Sequence, residues 1–204
     1  MTLSAIVGVA LVHLLAAMSP GPSFVLSIRT AATEGFRPAA CLALGFGFGA
    51  MLWAFGALAG LALLFEIVPP LFVALKVAGG IFLVYLAYSM WRHAPDPMPV
   101  IAPDAPPRGA AAAIRLGLAS MLANPKPAVF FGAVFVGLVP PSADMGDRTI
   151  ILLNILWVET AWYLVVARLF SLERARRAYG RAKTVLDRVF GSILGALGVK
   201  VAVT

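Results

Sequence analysis

Long apolar runs separated by short connections dominate the chain and leave little over for anything else. A helix needs roughly 20 apolar residues to cross a bilayer, and stretches of that kind recur along the sequence. They predict an all-α polytopic membrane protein of about six spans. The first covers residues 3–28 and is interrupted by Ser19-Pro20-Gly21-Pro22, which cannot continue an ordinary helix. The second covers 38–65, where Gly45, Gly47, Gly49, Gly56 and Gly60 offer small surfaces for close helix packing. Pro69-Pro70 turns the chain into the third, 71–90, with Tyr85, Tyr88 and Trp91 suited to a membrane interface. The proline-rich stretch 92–109 reads as an extended linker. The fourth span, 111–139, is interrupted by Asn124-Pro125-Lys126-Pro127, and the fifth covers 150–170. A basic segment, 171–188, is expected to lie along the headgroups as a short helix before a last, short span at 189–203. Five spans and a re-entrant tail is the competing arrangement.

Pro20-x-Pro22 and Pro125-x-Pro127 stand 105 positions apart, each in the opening span of its own half. The halves, 1–91 and 110–204, then form a single transporter domain. Three spans per half is an odd number, so the second half inserts upside down, giving a 3+3 inverted repeat with helices one and four broken.

Composition agrees with this layout. The 204 residues are 61% hydrophobic and 12% charged, with a mean hydropathy of +0.95, too apolar for a water-soluble globule. The net charge of +7 comes from residues in the connections and reads as a topology signal, so no nucleic-acid partner is expected; the lipid bilayer is the partner. The connections after spans one, three and five hold Arg29, Arg37, Arg92, Arg108, Arg115, Arg168, Arg174, Arg176, Arg177, Arg181, Lys183 and Arg188. The other side has Lys76, Arg148 and Lys200. Basic loops stay cytoplasmic, so both termini are expected outside, on the periplasmic face of an inner membrane. The N-terminus lacks the basic region and cleavage site of a secretory signal, and its apolar run is expected to be retained. Cys41 is the only cysteine, which excludes an internal thiol pair and a cysteine-rich metal site. Neither a hydrolase triad nor a phosphate-binding loop is present, so no enzyme, cofactor or metal is expected.

Broken helices in hydrocarbon are tolerated only where the freed backbone groups meet protein, water or ligand, which implies a polar cavity at the breaks. Ser19 and Asn124, each followed by proline, are expected to cap new half-helices whose positive ends point inward. Those ends, with Lys126, suit a carboxylate. The amine of the same substrate needs an acceptor, and Glu159 is the only acid deep in a span, with Asn154 about a turn earlier. The candidate substrate-binding set is therefore Ser19, Pro20, Gly21, Pro22, Asn124, Pro125, Lys126, Asn154 and Glu159. His13 and Glu159 are the candidates for proton coupling. Structural roles compete: Glu159 paired with Lys126, Lys126 as a support of the broken helix, and His13 as a neutral interhelical hydrogen-bonding group.

Three pieces in order carry a family resemblance: Ser19-Pro20-Gly21-Pro22, then Leu75-Lys76-Val77-Ala78-Gly79-Gly80 through Tyr85-Leu86-Ala87-Tyr88, then Asn124-Pro125-Lys126. Over essentially its whole length the chain resembles the LysE/RhtB family of amino-acid exporters. The resemblance implies export of a small-molecule amino acid or close derivative from the cytoplasm, driven by the proton motive force through alternating access. Ser23 departs from the family pattern, since many members carry an acid after the second proline, and the C-terminal end is compact. A heavy-metal efflux protein of similar architecture is the alternative, poorly served by His13, Cys41 and scattered methionines. Monomer and homo-oligomer both remain open.

Overall fold

The computed structural model describes residues 1–19, 21–67, 69–96, 107–135, 138–140 and 142–203, and every regular element among them is helical. The helices are α1 (Leu3–Met18), α2 (Pro22–Thr33), α3 (Phe36–Ile67), α4 (Pro69–His93), α5 (Ala110–Ala123), α6 (Pro125–Val129), α7 (Met145–Phe170) and α8 (Glu173–Val203). A π-helical turn, Phe130–Val134, continues α6. By length and composition α3 and α7 can each cross a membrane, and α1 with α2 forms a third candidate bent by 68° at its break. Pro20 and the middle of the proline-rich linker, 97–106, lie outside the described residues.

Both interruptions fall where the prolines put them, and they share a backbone solution. A residue before proline is pushed out of the α region. Asn124 accordingly takes φ −81°, ψ 120°, and Ser19, ahead of Pro20, takes φ −63°, ψ 126°. Each ends its helix by donating its N–H to the carbonyl three residues back, Ala16 or Met121, at 3.3 Å. The second break then develops as expected, with Asn124 Oδ1 accepting the Lys126 N–H at 3.0 Å and Pro125 opening α6. The first does not. Ser19 closes α1 and caps nothing beyond it; Gly21, in extended backbone, precedes Pro22, where α2 begins.

The expected split between a headgroup helix at 171–188 and a short last span is also corrected. Both belong to the single helix α8, whose 31 residues span about 46 Å, longer than a hydrocarbon core of roughly 30 Å. Its polar start is anchored inside the protein: Lys183 Nζ donates to the carbonyls of His93 and Ala94 at 2.8 and 3.2 Å and pairs with Asp187 at 3.0 Å. That ammonium satisfies carbonyls at the C-terminal end of α4, where a cation is favoured.

Small residues set the helix crossings. α3 meets α5 at Gly45 and Gly117, where a Cβ on either glycine would strike a backbone carbonyl of the other helix, Ile114 or Leu42. α4 meets α8 at Gly80 and Gly198, with Cβ positions 2.6 and 2.8 Å from the opposing glycine's oxygen. Gly47 and Gly49 are similarly crowded, by Thr160 and Met121, whereas Gly56 and Gly60 meet nothing within 4 Å among the described residues and do not show there the close packing expected of them. Substituting Gly117 with alanine should therefore cost roughly 1–3 kcal/mol by overpacking, while Gly56→Ala should be neutral or slightly stabilising. Thermal unfolding of the purified protein in detergent, run on both variants, measures the contrast.

Candidate functional site

α1, α2, α5, α6 and α7 converge at the two breaks and enclose one small cavity. His13, Gly21, Ser23, Asn124, Lys126, Glu159 and Tyr163 supply its polar lining, set among Phe24, Met121, Phe130 and Phe131. Its volume is about 30 Å³, room for a water or two and far below the roughly 300–1,000 Å³ of an open ligand pocket.

The breaks free backbone groups, and the site answers for them. Pro125 has no N–H to give to Met121, so that carbonyl accepts the Trp53 indole N–H at 3.2 Å as well as the Asn124 N–H. The Ser19 carbonyl accepts Lys126 Nζ at 2.6 Å. Asn124 Nδ2 donates to Ser23 Oγ at 3.0 Å. The two broken helices thus hold each other through Lys126 on Ser19 and Asn124 on Ser23. Among the described residues no carboxylate lies within ion-pair distance of Lys126; its ammonium donates to a carbonyl, with Glu159 acting on it electrostatically from further across the cavity.

The acid of the site pairs elsewhere. Glu159 Oε2 lies 2.9 Å from His13 Nε2, both side chains about 5% exposed or less. The approach is an ion-pair distance without hydrogen-bond alignment, and neither ring nitrogen makes a hydrogen bond among the described residues. The imidazole packs against the Phe130 and Phe131 rings, with centroids 5.7 and 5.5 Å away.

The expected site residues fare differently. His13, Gly21, Asn124, Lys126 and Glu159 line the cavity, and Ser19 contributes its carbonyl beside it. Pro22 and Pro125 open their helices, and Pro20 lies outside the described residues. Asn154 is displaced from the others. Five residues along a helix turn through about 140°, so it leaves the face of Glu159, and its Oδ1 is buried with no hydrogen-bond partner among the described residues. Ser23 and Tyr163 went unrecognised as lining residues. Tyr163 sits four residues past Glu159 on α7, and that helical spacing is the signal that would have pointed to it; Ser23 lies across the break from Ser19, and its place directly after Pro22 is its only mark. Among the described residues no group of His, Cys, Asp and Glu gathers as a metal site would.

The profile of the family described as "LysE type translocator" matches residues 14–204. The chain belongs to that family. It is 36% identical over 199 residues to the threonine efflux protein of Escherichia coli K12, covering 96% of each chain. It is 33% identical over 198 residues to the threonine efflux protein of Salmonella typhi, again over 96% of each. A third relative, the chemotactic transduction protein ChpE of Pseudomonas aeruginosa, is 32% identical over 157 residues, covering 74% of this chain and 75% of that one. No solved structure matches the chain. Membership makes this LysE type translocator a multi-pass membrane protein, in keeping with its apolar helices.

Proposed function

We propose that the protein exports small amino acids, threonine first among them, from the cytoplasm across the inner membrane by alternating access. The observation that carries this is the cavity itself: one basic group, Lys126, and one buried acid, Glu159, not in direct ion-pair contact with each other, face a space at the junction of two broken helices. A zwitterion offers a carboxylate to the first and an ammonium to the second. The named threonine efflux relatives, matched nearly end to end, favour the same substrate class. The 30 Å³ volume fits an occluded conformation, which must open to each side in turn. The His13–Glu159 pair is the natural place for a proton to ride, which would couple export to the proton motive force.

We read the fold as six spans in one domain arranged as a 3+3 inverted repeat. Support comes from the matched backbone at Ser19 and Asn124 and from the packing scheme, in which α3 lies on α7 and α4 on α8, while the α3–α5 contact is mirrored by α7 against α1 and α2. Ion pairs agree with alternating connections: Arg108 reaches Glu34 at 2.9 Å, Lys183 reaches the end of α4, and the Met1 amine meets Asp147 at 2.7 Å. With the basic connections cytoplasmic, both termini lie outside.

Efflux from cells preloaded with labelled amino acids tests the proposal. Expression of the protein should accelerate loss of labelled threonine several-fold over vector-only cells, with basic amino acids unaffected. Equal rates for every amino acid, with the protein present in the membrane, would sink the export reading.

A further inference from the structure

α2 buries a polar stripe of which the site uses only the first residue, Ser23. Ser23, Ser27, Thr30 and Glu34 follow one another at four, three and four residues, the spacing of a single helix face. The first three are sealed from solvent, at 4, 0 and 1% exposure, and the Glu34 side chain, on a residue of intermediate exposure, is itself 4% exposed. Buried hydroxyls nearly always find a partner, commonly the carbonyl one turn back, as Thr33 does with Arg29 at 2.9 Å. Ser27 Oγ and Thr30 Oγ1 have none among the described residues.

The stripe joins two spaces. Ser23 lines the central cavity, and Glu34, about 16 Å further along the helix, lines a wide cleft of about 870 Å³ together with Arg37, Cys41 and Arg108. At that mouth Glu34 receives both the Arg108 N–H at 2.8 Å and its guanidinium at 2.9 Å. A zwitterion presents the two charges that this pair now presents to itself.

We propose that the Ser23–Ser27–Thr30–Glu34 face is the cytoplasmic half of the substrate's route, with Glu34 and Arg108 as its gate and the unpartnered hydroxyls as rungs for a hydrated amino acid. The direction rests on the export reading above, and the route itself rests on the buried hydroxyls between the two spaces. Opening requires α2 to part from α3 and α7, against which it packs.

The test uses Ser27→Cys and Thr30→Cys in a Cys41→Ala parent, challenged in inside-out and right-side-out vesicles with a permanently charged methanethiosulfonate reagent. Both cysteines should react from the cytoplasmic face only, several-fold more slowly with saturating threonine, and modification should stop transport. A parent that exports threonine while neither cysteine reacts from that face would overturn the route and leave export standing. If the parent moves no threonine, reaction of both positions from the cytoplasmic face still upholds a wet passage, and its absence overturns it. In parallel, Ser27→Val should lower efflux at least tenfold at unchanged membrane level. An inert rung would leave efflux at the parental rate and raise the melting temperature, which also overturns the route.

Discussion

Replacing Glu159 with glutamine is expected to abolish net export of threonine while leaving the protein in the membrane. Glutamine keeps the shape and can still hydrogen-bond, so α7 packs as before; what goes is the ionisable carboxyl 2.9 Å from His13 in a cavity that also holds Lys126. Truncating one partner of a buried charge pair costs roughly 2–5 kcal/mol, and each 1.4 kcal/mol or so is tenfold. Export should therefore fall on the order of 100-fold. Counterflow separates the two roles open to this acid. If Glu159 carries the proton, exchange of labelled for unlabelled threonine survives in E159Q while uphill export fails. If it holds the substrate's ammonium, both fail. A variant that exports at the parental rate would leave Glu159 a structural acid, held in place by His13.

Lys126→Met should raise the threonine concentration needed for half-maximal export by tenfold or more and loosen the chain at its breaks. The ammonium does two things at once: it donates to the Ser19 carbonyl at 2.6 Å, bridging the halves, and it faces the cavity with no carboxylate of its own. An arriving carboxylate competes with that carbonyl, exchanging a dipole for a full charge. The present bond is charge-assisted on the donor side only, and a carboxylate adds a charge–charge attraction that is large where water is excluded. Threonine amide, which lacks the charge, should consequently be a poor substrate of the parent protein, and K126M should discriminate much less between amide and acid. Equal handling of both compounds by the parent would remove Lys126 from substrate binding and leave it as a strut. Arginine should not rescue it, since a planar guanidinium is larger and the cavity holds only about 30 Å³.

Much of this arrangement is legible in the order of residues because it depends on local chemistry. Proline lacks an N–H and displaces the residue before it from the α region, so Pro20, Pro22, Pro125 and Pro127 mark two breaks whatever surrounds them. Apolar length defines α3 and α7, and the basic connections carry the topology signal. The identities of His13, Lys126 and Glu159 are equally local facts, since an ionisable residue inside a span stands out by rarity. Even the capping of α6 by Asn124 follows from its own side chain and the proline after it.

What neighbours decide is of another kind. Gly45 and Gly56 are alike in sequence, yet one lies under a carbonyl of α5 and the other faces open space, because crossing points depend on where a second helix passes. Ser19 and Asn124 both precede proline, but only Asn124 has a side chain that reaches the next helical N–H. Glu159 pairs with His13 and not with Lys126, and Asn154 turns away, because rotation about α7 is set by packing against α1, α2 and α3. Ser23 and Tyr163 enter the cavity, and Ser27 and Thr30 are shut away unpartnered, by that same docking. The sequence by itself determined the helices, where two of them break and which charges lie within them. Only the tertiary structure decided which face each helix turns inward, since helix periodicity says which residues travel together and the partners say in which direction.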